Sequence, residues 1–294
     1  LLEEEIAGII LQKLSSSGDD KIDINEVYAA FIKNGIIDLD RMGEKDASEL
    51  EQSIYAIYES QESSRFDVIR NLLNGTNMNS YNGCSEEERE YIELIENIIT
   101  NNGILDTSKL SSADEISQLW TTGNTSLYEY LHYAIGKGAI SVAAMDISDT
   151  FLDSDEIYAS LTEYILLELE DNSSFSKIVY CAMLNEGAIN GQQICVLLYE
   201  QGVLEKDEAY DNLVNNVVDP YTFIYDKIYN LEITPDMLAL DPCSGSLVAT
   251  DPDTGEVLAL VSYPSYDANR ISDSGYYESL LENESLPLYN RATM

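Results

Sequence analysis

Apolar residues recur at helical spacing through most of residues 1–240. Within 86–100, Tyr91, Leu94, Ile95, Ile98 and Ile99 share one face, and within 157–169 Leu161, Tyr164, Ile165 and Leu169 do the same, which predicts helices there. Asp106-Thr107-Ser108, Gly123-Asn124-Thr125 and Asp153-Ser154-Asp155 offer N-cap chemistry ahead of new helices. A second pattern repeats: a helix end, a Gly, then apolar residues, at Gly35-Ile36-Ile37, Gly103-Ile104-Leu105, Gly138-Ala139-Ile140, Gly187-Ala188-Ile189 and Gly202-Val203-Leu204. It reads as a left-handed residue at C′ followed by an apolar residue folding back on the last turn. The Gly-to-Gly intervals are 68, 35, 49 and 15 residues. A solenoid needs a fixed period, so an irregular helical domain is predicted, with a degenerate helical-repeat binding surface as the alternative.

The pattern changes near residue 241. Four of the six prolines (Pro242, Pro252, Pro264 and Pro287) lie in the last fifth of the chain. Ser246–Thr250 and Glu256–Ser262 read as strands joined through Asp251-Pro252-Asp253-Thr254-Gly255, where Pro252 suits the second turn position and Gly255 supplies a positive φ. In the second strand Val257, Ala259 and Val261 face one side, and Leu258 and Leu260 the other. Apolar residues on both faces predict a strand covered on both sides. Two strands alone are marginal in water, so the hairpin either opens a larger domain or takes its cover from the helices or another chain. Together these patterns predict an α+β chain, predominantly α-helical. An irregular helical domain is followed by a C-terminal β-hairpin and a short helix near Tyr276–Leu281.

The run Gly245-Ser246-Leu247-Val248-Ala249-Thr250-Asp251-Pro252-Asp253-Thr254-Gly255-Glu256-Val257-Leu258-Ala259-Leu260-Val261-Ser262-Tyr263-Pro264-Ser265-Tyr266-Asp267, continuing to Pro287-Leu288-Tyr289-Asn290-Arg291-Ala292-Thr293, closely resembles penicillin-binding proteins of the transpeptidase family. The resemblance implies the opening strands of a transpeptidase-type sheet and the approach to its active site. The stretch Leu2-Glu3-Glu4-Glu5-Ile6-Ala7-Gly8-Ile9-Ile10 looks like the first helix of the same domain. It therefore implies three parts: 1–14 as that helix, 15–240 as a helical insertion or accessory domain, and 241–294 as the truncated start of the transpeptidase domain.

Such a parent cross-links peptidoglycan by D,D-transpeptidation. A Ser attacks a D-Ala-D-Ala amide, forms an acyl-enzyme, and passes the acyl group to an amine of a second peptide. β-Lactams acylate the same Ser. The resemblance further implies an exported, membrane-anchored parent at the extracellular face of the membrane, with other cell-wall synthesis proteins as partners of the insertion. The chemistry needs S-x-x-K, S-x-N and K-T-G in that order. Ser174-Phe175-Ser176-Lys177 fits the first and Ser80-Tyr81-Asn82 the second, but both lie upstream of the hairpin and in the wrong order, and no K-T-G or K-S-G is present. In the family the nucleophile follows shortly after the position of Asn290-Arg291-Ala292-Thr293. The expectation is a non-catalytic portion of such an enzyme, with no catalytic, metal or cofactor residue assigned. The rival expectation is a stand-alone helical interaction module without enzymatic parentage.

Composition narrows the partners. The 294 residues carry 15 Lys+Arg against 54 Asp+Glu, a formal charge of −39, with 45% hydrophobic residues. The apolar share is that of a globular protein. The charge repels phosphate backbones and disfavours nucleic acid, and it gives no basic patch for anionic lipid. The longest apolar runs, Ile6–Leu11 and Val257–Val261, fall well short of the ~20 residues that span a bilayer. Leu1-Leu2-Glu3-Glu4-Glu5 has neither an initiator Met nor a basic region before an apolar run, so it does not read as a signal peptide, and the chain reads as cut from something longer.

The remaining candidates have plain structural readings. Cys84, Cys181, Cys195 and Cys243 form no C-x-x-C pair and read as buried thiols. Ser15–Glu26 has the back half of a calcium loop, with Ile22 eighth and Glu26 twelfth, but Ser15 stands first and Asp20 stands where a Gly is needed; a loop capping the helix near Asn25 fits better. His132, the only His, has no partner ligand nearby and reads as a packed helix residue. The acidic runs Glu3–Glu5 and Glu86–Glu88 suit the first turns of helices. The 21 Tyr against five Phe read as rings packed inward with hydroxyls near water.

Overall fold

A computed structural model describes residues 2–18, 21–76, 78–145, 147, 152–240, 245–251, 254–263, 265–266, 268, 270–272, 276–277, 280–281, 287–290 and 293. In chain order these hold helices α1 (Leu2–Leu14), α2 (Ile24–Lys33), α3 (Glu49–Leu73), α4 (Glu86–Asn101), α5 (Glu115–Thr121), α6 (Leu127–Gly136), α7 (Ser154–Glu170), α8 (Ser173–Asn185), α9 (Gly191–Glu200), α10 (Glu208–Val214), α11 (Pro220–Tyr229) and α12 (Pro235–Leu238). Strands β1 (Gly245–Thr250) and β2 (Val257–Tyr263) follow and form a two-stranded antiparallel sheet. The fold is α+β and mainly helical. Among the described residues no helix is long and apolar enough to cross a membrane.

The chain forms two compact units, one of 1–56 with 183–294 and one of 57–182. In the first, α1 packs on α11 and α12, α2 on α9 and α12, and α9 on α10 and α11. Its core holds Ile10, Phe31, Leu198, Phe223 and Ile228, all fully buried. In the second, α4 and α6 both pack on α7, around Tyr91, Ile95, Leu131, Leu161 and Phe175. The Phe175 ring lies 4.9 Å from Phe66 and 5.8 Å from Tyr91. The buried Tyr91 hydroxyl donates to the Glu87 carboxylate at 2.6 Å.

The helix starts follow local chemistry. Asp23, Ser85, Asp153 and Asn190 each cap a helix and form a reciprocal box with the residue three positions on. Two predicted caps are displaced. Asp106 caps a 3-10 turn, Thr107–Lys109, and not an α-helix. In the Gly123-Asn124-Thr125 stretch, Gly123 closes α5 with a positive φ, and the cap of α6 is the next residue, Ser126, boxed with Glu129.

The helix ends obey one rule more widely than glycine alone suggests. Gly35, Gly103, Gly138, Gly187 and Gly202 all have φ near +70°. At Gly35 the full Schellman pair is present: Gly35 N donates to Ile32 O at 3.1 Å and Ile36 N to Phe31 O at 3.0 Å. Asn216 and Leu231 adopt the same conformation, with Val217 N bonded to Asn212 O and Glu232 N to Lys227 O. From Gly187 through Gly202 and Asn216 to Leu231, left-handed residues therefore recur 15, 14 and 15 residues apart. This short run of near-regular helical units was hidden because two of its four turns lack glycine. Buried Lys227 ties the run together, its Nζ 2.9 Å from Asp207 and 2.6 Å from Glu232.

A leucine held in the left-handed region pays a steric penalty that glycine does not. Leu231→Gly is expected to raise stability by about 1 kcal/mol. Gly187→Ala, whose Cβ would meet nothing within 4 Å, is expected to lower it by about the same amount through backbone strain alone. Urea denaturation of both variants checks the pair; a loss on Leu231→Gly would show that the side chain's packing outweighs the strain.

Candidate functional site

The hairpin carries the chemistry-bearing resemblance. β1 and β2 pair from Gly245↔Tyr263 to Ala249↔Ala259, with a bulge at Thr250↔Val257. At the turn, Asp251 N donates to Glu256 O and Gly255 N to Asp251 O, both at 2.8 Å, while Thr254 N donates to the Asp251 carboxylate at 3.1 Å. Gly255 has φ +72°, as the turn requires. Pro252 and Asp253 lie outside the described residues. The predicted strand bounds hold to within one residue.

The expected cover is not supplied by the described residues. Leu247, Val248, Val257, Leu260 and Val261 are all about half exposed, and Leu258 is 65% exposed. Among the described residues, both faces of the ribbon are open. Strand β2 is followed by a segment in which Tyr276, Tyr277, Leu280 and Leu281 are helical, as the predicted short helix requires; 278–279 lie outside the described residues. Leu280 is buried, and the Arg270 guanidinium lies 4.2 Å from the centre of the Tyr276 ring. Arg270, Tyr276, Leu280 and Pro287 line a cavity of about 530 Å³ with Asn34, Gly202 and Met237. The Ser262 hydroxyl donates to Tyr289 O at 3.5 Å, linking the strand to the residues that precede Asn290.

The catalytic look-alikes occupy structural positions. Ser174 is exposed in the first turn of α8 with Lys177 one turn on, and it is the neighbouring Ser176 that bonds, to the Tyr58 hydroxyl at 3.2 Å. Asn82 clamps a loop: its Nδ2 donates to Thr122 O at 2.9 Å, and its backbone N donates to Gly123 O at 2.9 Å. A Cβ on Gly123 would stand 2.5 Å from Asn82 Oδ1, so the Gly is what lets the clamp close. Tyr81 donates its hydroxyl to Glu93.

The other candidates have local roles. In Ser15–Glu26, Asp23 accepts from Asn25 N at 2.9 Å and Glu26 accepts from Asp23 N at 3.0 Å, so both carboxylates serve the cap of α2; Asp19 and Asp20 lie outside the described residues. Among the described residues no group of acidic, His or Cys side chains could hold a metal ion. His132 is half-buried on α6, its ring stacked 4.1 Å from Tyr158. Cys84, Cys181 and Cys195 are buried, and burial pushes the Cys195 thiol up; Cys243 lies outside the described residues. Glu3–Glu5 and Glu86–Glu88 fall in the first turns of α1 and α4.

Sequence reasoning overlooked the buried carboxylate of Glu51. It accepts from Ser48 N at 2.7 Å and Gln201 Nε2 at 3.0 Å and lies 3.2 Å from Arg41 Nε. The signal was present as Ser48-x-x-Glu51, a capping-box pattern at the start of α3.

No family description matches the chain, and no solved structure is similar to it. Curated relatives match over short stretches. The peptidoglycan D,D-transpeptidase PbpA of Mycolicibacterium smegmatis is 44% identical over 57 residues, covering 17% of this chain and 12% of that protein. The peptidoglycan D,D-transpeptidase MrdA of Escherichia coli is 55% identical over 51 residues, 16% of this chain and 8% of the relative, and its namesake from Acinetobacter baumannii is 51% identical over the same length. The chain thus spans about a tenth of the length of the curated relatives it matches. A segment of about 55 residues in this chain is accordingly similar to peptidoglycan D,D-transpeptidases, as a fragment of a penicillin-binding protein would be.

Proposed function

We propose that this chain is a non-catalytic portion of an enzyme that cross-links peptidoglycan by D,D-transpeptidation, and that its helical part is an accessory domain through which the enzyme meets other cell-wall synthesis proteins. The observation that carries the reading is the ribbon β1–β2. It matches the family's opening strands in sequence, and it holds six apolar residues open on its two faces. A sheet of the transpeptidase kind would close over both. In this reading 1–14 is the first helix of that domain, 15–240 is inserted after it, and 241–294 opens the sheet.

In this reading the nucleophilic Ser, its Lys, the S-x-N and the K-T-G come from residues other than those here. The peptide of peptidoglycan and β-lactams are ligands of the parent, which works at the extracellular face of the membrane. The acidic helical surface keeps anionic polymers at a distance.

Fluorescent penicillin tests this. The 294-residue chain is expected to form no covalent adduct. The same chain expressed with its natural downstream coding sequence is expected to label on a Ser of an S-x-x-K motif within roughly fifteen residues of Met294. An adduct on Ser174 would overturn the assignment, and a stop codon directly after Met294 would favour a self-sufficient interaction module.

A further inference from the structure

The second compact unit carries a groove that its own residues leave open. It has a volume of about 650 Å³ and lies between the end of α3 and the outer face of α7, with Tyr128 of α6 behind. Its apolar lining is Leu73, Tyr128, Tyr158, Leu166 and Leu167, and Leu167 is 60% exposed. One exposed Leu is ordinary on a protein surface. A groove with a fixed floor is not, and this floor is fixed. Tyr158 donates its hydroxyl to the Leu73 carbonyl, its ring stacks on His132, and Tyr128 meets it edge-on at 5.4 Å.

The charges at the rim select the occupant. Glu163 and Glu170 also line the groove, seven residues apart on α7, which places them about 10 Å apart along one face and on either side of Leu166 and Leu167. Neither is ion-paired among the described residues, whereas Arg70 at the far side is taken by Asp67 at 3.0 Å. A second copy of a chain of charge −39 would be repelled. The described helices of this chain carry only scattered basic residues, such as Lys13, Lys33 and Arg70, so none of them is a basic amphipathic segment.

We propose that the groove docks an amphipathic helix of a partner protein, with apolar anchors at i, i+3 or i+4, and i+7 seated on Tyr158, Leu166 and Leu167, and with Lys or Arg residues seven apart facing Glu163 and Glu170. This rests on reading the helical region as an interaction domain. It does not use the catalytic chemistry, so its failure and a failure of penicillin labelling are separate results.

The probe is a synthetic 18-residue Leu/Lys peptide with its leucines on one helical face. The control is an isomer of identical composition with the leucines dispersed. Binding is read by fluorescence anisotropy at about 0.15 M salt, where the Debye length is ~8 Å. The amphipathic peptide is expected to bind at least tenfold tighter than its isomer. Leu167→Gln, a surface change, is expected to weaken it about tenfold, with the helical circular dichroism of the protein unchanged. Glu163→Gln with Glu170→Gln is expected to weaken it several-fold and to reduce its salt dependence. Equal binding of the two isomers would show attraction to net charge alone and would overturn the proposal, as would unchanged affinity in Leu167→Gln or no binding at all.

Discussion

Glu51→Ala is expected to cost roughly 3 kcal/mol, because it removes a buried carboxylate that accepts from Ser48 N and Gln201 Nε2 and faces the Arg41 guanidinium. Glu51 is fully buried, whereas the Arg41 side chain is 42% exposed, so solvent screens the ion pair more than the hydrogen bonds. The pH dependence is the sharper reading. Burial alone would raise the Glu51 carboxyl, but the hydrogen bonds from Ser48 and Gln201 and the Arg41 guanidinium outweigh it and hold the group below the ordinary glutamate value of 4.5. A folded-state value below the unfolded one means that the carboxylate's contribution is complete above the ordinary value. It is lost as pH falls through the lowered folded value. The stability difference between the wild type and Glu51→Gln, measured by urea denaturation across pH 3 to 7, is therefore expected to be flat near neutrality and to shrink below about pH 4.5. A difference that stays constant down to the acid limit would mean that the charge of Glu51 contributes nothing.

Gly191→Ala is expected to destabilise by about 2–3 kcal/mol, opposite in sign to the helix propensities of the two residues. Gly191 opens α9, and a Cβ there would overlap the Tyr28 ring and stand 2.6 Å from its hydroxyl oxygen. Tyr28 is itself buried, so its ring has nowhere to retreat. In a Tyr28→Leu background the cost of Gly191→Ala is expected to fall below about 1 kcal/mol, because the colliding ring is gone. A double-mutant cycle measures this. An equal cost in both backgrounds would place the origin in the backbone of α9 instead.

These two sites mark where sequence patterns stop being informative. The ends of α4 and α7, the hairpin and the five left-handed glycines were legible because each depends on chemistry within a few residues: a cap, an alternation, a missing Cβ. The collision of Gly191 with Tyr28 joins residues of α2 and α9, which no local window contains. The turns at Asn216 and Leu231 were missed for a different reason. There the tertiary structure imposes a left-handed conformation on residues that do not prefer it, so the near-regular run through α8–α11 left no glycine period. The Ser80-Tyr81-Asn82 match to a catalytic motif shows the converse: Asn82 suits that motif by residue type, yet it is occupied in holding the Gly123 loop. The two-faced apolar pattern of β2 was legible as a need for cover, but pattern alone does not name the source.

The open ribbon also governs how this polypeptide behaves in concentrated solution. Among the described residues the sheet has two strands, so each is an edge strand, and Val257–Val261 offers five consecutive apolar residues. Such an edge is a template for strand addition by another molecule. What opposes it is long-range repulsion between bodies that each carry −39 charges, a barrier that weakens as the Debye length contracts from ~10 Å at 0.1 M salt to ~3 Å at 1 M. Acidity here acts as colloidal protection for a cohesive seam, so raising the ionic strength is expected to favour stacking of the chains.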